Sequence, residues 1–451
     1  MPHEVFHYPT KESLIKRAQE LGVHIPIAAD AAVLGRPLTT GCVTLKNRMG
    51  TAPMEGADSL PNGAPSAYTV RRYARQAAGG SAVIWFEAIS IVPEGRSSQT
   101  QLLLTEDTLE PWKKLVEEVR RAAAESTGQD VYLIMQANHS GRYSNPGNRP
   151  APVIAYRNPY LEQYRAADDS CIIADDELKK LEETFGNAAY LAKKAGFDAI
   201  DIKSCHGYLL AELLSAYLRP GPYGGSFENR TRLLRNGIAA AKAYESASFQ
   251  VTARLGIYDG YPYPYGFGVS EGSGEKVDLA EPINLVRELK ERSGLSMIGL
   301  TMGNPYATTH ITRPFDHGKY VPDEHPLVGI GRMIQGIGEV KRKVPGMTVF
   351  ASAPSYLRQY ADLYAAGAIE EGDCDGMLFG RMAFANPFFA KNVLEAGRID
   401  PKKVCVTCGS CGDLIRAHLP TGCVIREPEV FRPFYLEYKK SAKEQPPNFR
   451  G

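Results

Sequence analysis

The sequence carries almost no net charge: 52 Lys and Arg stand against 51 Asp and Glu in 451 residues, a balance of +1. No whole-molecule field would therefore draw the chain to nucleic acid or to an anionic membrane, and neither is expected as a partner. The N-terminus lacks a basic stretch followed by an apolar run, and no segment approaches the ~18 consecutive apolar residues of a membrane span. A cytoplasmic location is the corresponding expectation. Internal repeats and low-complexity tracts are also missing, and no G-x-G-x-x-G lies at a strand-to-helix junction, which argues against solenoids and a Rossmann dinucleotide unit. Cysteine is sparse. Of eight, Cys42, Cys171, Cys205 and Cys374 are scattered, and the rest crowd between positions 405 and 423. Without an export signal, such crowding points to metal or cluster ligands rather than disulfides. Small-molecule chemistry remains, in a chain free to form a homo-oligomer.

What is present is a rhythm. Short apolar runs occur at 48–53, 82–86, 131–136, 199–202, 249–255, 297–300, 348–351 and 376–379. Segments of helical periodicity separate them, as where Leu178, Leu181, Phe185, Ala188 and Ala192 fall on one face. Further helices are predicted over 66–78, 109–124, 230–244, 280–293, 330–343, 356–366 and 388–396, after one amphipathic candidate at 11–21. Eight strands alternating with eight helices predict an α/β fold, a (β/α)8 TIM barrel. The division expected is an N-terminal extension over 1–34, a barrel over 35–398 and a cysteine-rich segment with its tail over 399–451. Segments 142–174, 209–228 and 301–328, rich in Pro, Gly, Tyr and Asn, are too long for ordinary connections and are predicted to carry function.

One stretch, 197–232, focuses the chemistry. The apolar run 199–202 is followed at once by Lys203, Cys205, His206 and Tyr208. Ionisable side chains gathered where a buried parallel strand ends are what the C-terminal mouth of a barrel presents. An ordinary strand-to-helix turn is the plain alternative.

Seven motifs in order resemble the old yellow enzyme family of FMN-dependent barrels, and within it the 2,4-dienoyl-CoA reductase and trimethylamine dehydrogenase branch. They are NRMGTAPM (47–54), FEA (86–88), QANHSGRYS (136–144), HGYLLAELLS (206–215), YGGSFENRTR (223–232), RLG (254–256) and FGRMAFANP (379–387). With the cysteines, the resemblance covers roughly 38–425. It implies an FMN-dependent oxidoreductase of the ene-reductase type, moving hydride from FMN N5 to an activated C=C bond of an enone, enoate or enoyl thioester.

The residues suit that cofactor. Gln136 both donates and accepts, matching the alternating edge of the flavin pyrimidine. Arg254 would stabilise negative charge near N1 and the C2 carbonyl. Gly380 and Arg381 would hold the phosphate, while Pro53, Met54 and Ala88 would pack along the ring or bond to it through backbone. A surface ion pair for either arginine and a satisfied core amide for Gln136 are the structural alternatives. The seventh strand departs from the family, reading ASAP (351–354) where glycines are usual. Pro354 has no amide hydrogen, so donation there falls to Ser352, Ala353 or Ser355.

In relatives, two side chains three residues apart hold the substrate carbonyl and a tyrosine two residues later gives the proton. Lys203, His206 and Tyr208 take these places. A phenol of pKa ~10 keeps its proton at neutral pH yet yields it to a developing carbanion. Lys203 departs from the usual His: it would stabilise an enolate or pair with a substrate carboxylate, or else only hold the flavin or a neighbouring acid. In a continuous strand Lys203 and His206 face opposite ways, so they converge only if the strand ends between them. Cys205 reads as packing and His139 as a loop-fixing residue.

Cys405, Cys408, Cys411 and Cys423 read C-x2-C-x2-C-x11-C. Three closely spaced cysteines can wrap three corners of a [4Fe-4S] cubane that the fourth closes; a structural zinc is the alternative, and leaves one nearby cysteine unexplained. The resemblance places a cluster here, relaying electrons to FMN. The second flavin and nucleotide domain of such relatives has no room in the 28 residues after Cys423. Electrons are thus expected from a ferredoxin-like protein or separate reductase, with NAD(P)H as the second possibility. Two rivals stand beside this reading: a dehydrogenase or demethylase of amines or similar small substrates, and a non-catalytic, zinc-stapled binding barrel. The aromatic loops (Tyr156, Tyr160, Tyr164, Tyr261, Tyr263, Tyr265) suggest a wide apolar site, while tyrosines in long loops are equally ordinary cover for exposed core.

Overall fold

The computed structural model describes residues 2–444. Eight strands, β1 Met49–Thr51, β2 Val83–Ser90, β3 Tyr132–Asn138, β4 Ala199–Ser204, β5 Gln250–Gly256, β6 Met297–Thr301, β7 Thr348–Ser352 and β8 Gly376–Phe379, close into one parallel barrel in chain order. The seam joins β8 to β1, with Leu378 opposite Gly50. Helices α1 Ala67–Ala78, α2 Leu109–Thr127, α3 Asp175–Ala195, α4 Arg232–Lys242, α5 Ala280–Glu291, α6 Pro326–Lys343, α7 Ala361–Glu370 and α8 Phe389–Ala396 follow the strands in turn.

The strands read as apolar runs because both faces are buried. In β4, Ile200 and Ile202 join the core beneath the helices, while Ala199 joins an interior cluster with Trp85, Ile134, Phe350 and Leu378. Asp201 and Lys203 share the parity of Ala199, so they climb the inside of the barrel toward its C-terminal mouth. The opposite end is plugged by a hairpin, Leu38–Thr40 paired antiparallel with Val43–Leu45, whose Leu38 and Leu45 pack into the interior cluster.

Residues 2–34 form no core of their own. Phe6, Tyr8, Leu14 and Ala18 are buried within the barrel's outer core, and the amide of Ala28 donates to the carbonyl of Leu363 at 3.0 Å. The predicted helix over 356–366 begins late. Pro354–Tyr360 is a 3-10 turn broken at Arg358 (φ 50°, ψ −117°), and regular helix starts only at Ala361. Arg358 is held there by an ion pair with Asp316, its guanidinium 4.7 Å from the ring centre of Phe6.

The long segments after β3, β4 and β6 cover the mouth. The first two are fastened by a fully buried ion pair of Arg142 with Glu212, Arg142 also donating to the carbonyl of Tyr156 at 3.2 Å. The third joins where Asn304 donates to the Tyr143 hydroxyl at 2.9 Å. Among the described residues no helix is long and apolar enough to cross a membrane.

Candidate active site

A single cleft at the C-terminal mouth collects every residue that the sequence offers for flavin and substrate. Pro53 and Met54 follow β1, Ala88 and Gln136 end β2 and β3, Lys203, His206 and Tyr208 come from β4 and its loop, and Arg254 from β5. Ala353, Gly380 and Arg381 close the ring from the ends of β7 and β8.

The floor is organised by Asp201, which sequence reasoning passed over as one letter in an apolar run. Its carboxylate accepts from Trp85 Nε1 at 2.7 Å, Gln136 Nε2 at 2.6 Å and the Arg254 amide at 2.6 Å. Burial pushes Asp201 up to about 6, against the pull of those donors. Because Gln136 spends its amino group on Asp201, its Oε1 is left buried without a partner, and Arg254 has Nε and Nη1 equally unsatisfied. One acceptor beside free guanidinium donors is the set that a flavin pyrimidine edge, with its N–H between carbonyls, would satisfy. The residues therefore fit FMN.

At the next level β4 ends at Ser204, and His206 and Gly207 take left-handed backbone (φ 67° and 70°). That reversal turns His206 into the same cleft as Lys203. A Cβ on Gly207 would stand 2.1 Å from the Asn304 amide, so glycine is required by both backbone and space. Lys203 Nζ lies over the Tyr208 ring, 3.8 Å from its centre. The Tyr208 hydroxyl donates to Glu55 Oε1 at 3.0 Å and lies 2.6 Å from the Tyr306 hydroxyl. Tyr306 in turn stacks on Tyr143 at 3.8 Å. Burial, aided by the Glu55 charge, raises Tyr208 well above its ordinary value. Burial lowers Lys203 to about 8 and, with the Arg254 and Lys203 charges, holds His206 well below the usual imidazole range.

The loop carrying Pro53 to Glu55 is anchored from behind. Pairing of β2 with β3 slips between Trp85 and Ala88, so Ala88 faces the cleft while Glu87 points outward. Glu87 accepts from the Gly56 amide at 2.8 Å, Arg72 at 2.6 Å and the Tyr73 hydroxyl at 3.0 Å, and Arg72 also pairs with Asp58. On the far side His139, lowered to about 4 by burial, accepts from the Gly141 amide at 3.1 Å through Nδ1 and does not line the cleft.

Where the cleft meets the ends of β7 and β8, Ala353 adopts φ 72°, a conformation usually left to glycine. Ser355 Oγ accepts from the Met382 amide at 3.1 Å, and Arg381 donates to the Pro314 carbonyl at 2.7 Å. Arg313 and Arg416 add two cations to this wall. Arg416 belongs to helix Ser410–Arg416, which folds back so that Gly412, Ile415 and Arg416 complete the cleft.

Beyond Arg381 lies a second, smaller cavity lined by Cys405, Cys408, Cys411 and Cys423 together, with Arg381 facing both spaces. The amides of Thr407 and Arg426 donate to the sulfurs of Cys405 and Cys423, each at 3.4 Å. Among the described residues no three His, Cys, Asp or Glu side chains stand at metal-holding geometry. The thiols share a cavity without a preformed coordination shell.

Glu55, Tyr306, Arg313 and Arg416 were not legible as site residues. Glu55 directly follows Met54 in the first motif, a signal available but unused; the others arrive from a long loop and from the tail. Of the two readings of the aromatic loops, cover holds: none of the six tyrosines lines the cleft. Tyr160 packs on Tyr261 and Tyr265 at 5.7 and 5.6 Å, and Tyr263 on Tyr217 at 4.8 Å, as cover for the loops.

A parallel barrel whose mouth leaves Gln136 Oε1 and Arg254 unpaired fits a flavin-dependent oxidoreductase. The chain belongs to the NADH:flavin oxidoreductase / NADH oxidase family, the old yellow enzymes, whose profile matches residues 34–301. It is 31% identical over 278 residues to an NADPH dehydrogenase of Bacillus velezensis, covering 60% of this chain and 74% of that protein. It is 32% identical over 249 residues to 12-oxophytodienoate reductase 1 of Oryza sativa subsp. japonica, covering 52% and 62%. A 2-naphthoyl-CoA reductase complex superposes with a TM-score of 0.71 at 19% identity, a likeness of fold, over 88% of this chain and 57% of that one. The chain thus spans little more than half the length of that structure. It is an FMN-dependent oxidoreductase.

Proposed function

We propose that the chain reduces an activated C=C bond of an enone, enoate or enoyl thioester, with electrons relayed to FMN through a [4Fe-4S] cluster. The observation carrying the first part is the convergence, in one cleft, of the unpaired Gln136 Oε1, the unpaired Arg254 donors and the Tyr208 hydroxyl. Gln136 and Arg254 would hold the pyrimidine edge of FMN, Pro53, Met54 and Ala88 its ring, and Ser355, Gly380, Arg381 and the backbone near Ala353 its phosphate. FMN would supply the hydride, at N5. Tyr208 then protonates the α-carbon, and His206, kept neutral by burial and by Arg254 and Lys203, orients the substrate oxygen. Lys203 adds a positive charge where enolate character develops. A cleft with Lys203, Arg254, Arg313, Arg381 and Arg416 against the one carboxyl of Glu55 disfavours cationic amines and weighs against the dehydrogenase rival.

The cluster reading is supported by the shared cavity of Cys405, Cys408, Cys411 and Cys423 and by amide donors aimed at two of its sulfurs. The domain division at 34 and 398 follows the same reading: extension, flavin barrel, cluster segment. The names of relatives favour a nicotinamide donor, and the cysteine cavity favours a ferredoxin-like protein or separate reductase. Anaerobic mixing with NADH, NADPH and reduced ferredoxin, followed by a screen of 2-cyclohexenone, crotonate and crotonyl-CoA, tests both parts. Colourless protein, or reduced flavin that no alkene reoxidises, rejects the proposal. Tyr208→Phe should slow alkene reduction by about 10²-fold or more while leaving flavin reduction unchanged.

A further inference from the structure

We propose that Glu55 is the carboxyl group that returns a proton to Tyr208 in each turnover, so that Glu55, Tyr208 and Tyr306 act as one proton-transfer unit. The assignment rests on Tyr208 being the proton donor of the reading above. Its geometry is direct: Tyr208 donates to Glu55 Oε1 at 3.0 Å and touches the Tyr306 hydroxyl at 2.6 Å, and Glu55 Oε2 accepts from the Ser97 hydroxyl at 3.4 Å. Among the described residues Glu55 is the only carboxyl lining the cleft.

Each reduced double bond takes one hydride from reduced flavin and one proton. As the new C–H bond forms at the α-carbon, the Tyr208 O–H bond breaks and its electron pair stays on the phenolic oxygen. That oxygen then takes the proton of the Glu55 carboxyl, restoring the Tyr208 O–H and leaving a carboxylate, which recovers a proton from water on the Ser97 side. Tyr306 can donate its O–H to the Tyr208 oxygen during the interval, and Lys203 Nζ, 3.8 Å from the ring centre, favours negative charge there. A buried phenolate is otherwise strongly opposed.

The groups facing Glu55 come from four places, Lys203 on β4, Tyr208 on the loop after β4, Tyr306 on the loop after β6 and Ser97 on the loop after β2, and the charge of Glu87 on β2 acts from behind. Burial raises the Glu55 carboxyl and Lys203 partly offsets this, so it keeps its proton to higher pH than an exposed glutamate. Holding its own loop does not require Glu55, since Gly56 and Asp58 already tie that loop to Glu87 and Arg72.

The test follows repeated turnovers of FMN-loaded full-length enzyme with excess dithionite and 2-cyclohexenone, a neutral enone, from pH 5 to 9, in the wild type and in a Lys203→Met background. Glu55→Gln should slow sustained turnover by about 10²-fold and, in the Lys203→Met background, remove the alkaline limb of its pH profile, with FMN content and the rate of flavin reduction by dithionite unchanged. Glu55→Asp should keep that limb. Tyr208→Phe should be slow, and the double variant Glu55→Gln/Tyr208→Phe no slower than Tyr208→Phe alone. A wild-type rate and unchanged alkaline limb in Glu55→Gln, with Tyr208→Phe slow, overturns the role of Glu55; so does a multiplicative loss in the double variant. Unimpaired turnover in Tyr208→Phe, or no flavin reoxidation by any alkene in the wild type, overturns the underlying reading instead.

Discussion

Asp201 shows how much one interior side chain can organise. Three donors converge on its carboxylate, and no asparagine can meet them, because its amino group would face a donor. Asp201→Asn should therefore lower stability by about 1–3 kcal/mol and, if Gln136 rotates to compensate, should weaken FMN retention; thermal melting and the flavin content of purified protein read the two effects. Lys203 gives a pH signature. Burial brings it to about 8, so it is charged below that pH and neutral above it. KM for an anionic enoate should rise above pH about 8, KM for a neutral enone should not, and Lys203→Met should flatten the difference. Its effect on stability has the other sense: the penalty for burying the cation is full below the folded value and is relieved as pH rises toward the unfolded ~10.4.

Among the elements, strands and helices were readable because each is a local periodicity: apolar runs buried on both faces, and helical stripes facing them. The late start of α7 was not, since Pro354 and the strained Arg358 answer to Asp316 and Phe6, which are distant in sequence. The length of the loops points to function, but the direction of their tyrosines is not legible, because side-chain composition does not say which face of a loop turns inward. Their fastening is the Arg142–Glu212 pair, both side chains fully buried. Arg142→Met should cost about 3–5 kcal/mol by stranding Glu212 as an uncompensated buried acid, whereas Arg142→Met with Glu212→Leu should recover most of it, measured by urea unfolding.

At the scale of the whole molecule, the cysteine segment completes the wall of the cleft. Helix Ser410–Arg416 carries Cys411 and also supplies Gly412, Ile415 and Arg416 to the cleft, and Arg381 faces both cavities. On the proposed cluster reading, Cys411→Ser lowers iron content and, with it, FMN occupancy, read by metal analysis and by the flavin and broad iron-sulfur absorption of the same sample. Full iron retention in that variant would remove Cys411 from the proposed ligands. The barrel, its family and the meeting of eleven candidate residues in one cleft could be reached from the chain alone, because strand ends meet at one mouth whatever the loops do. Glu55, Tyr306, Asp201 and the returning tail helix could not. Their partners lie tens to hundreds of residues away, and only packing brings a carboxyl to a phenol, or a cysteine helix to a flavin wall.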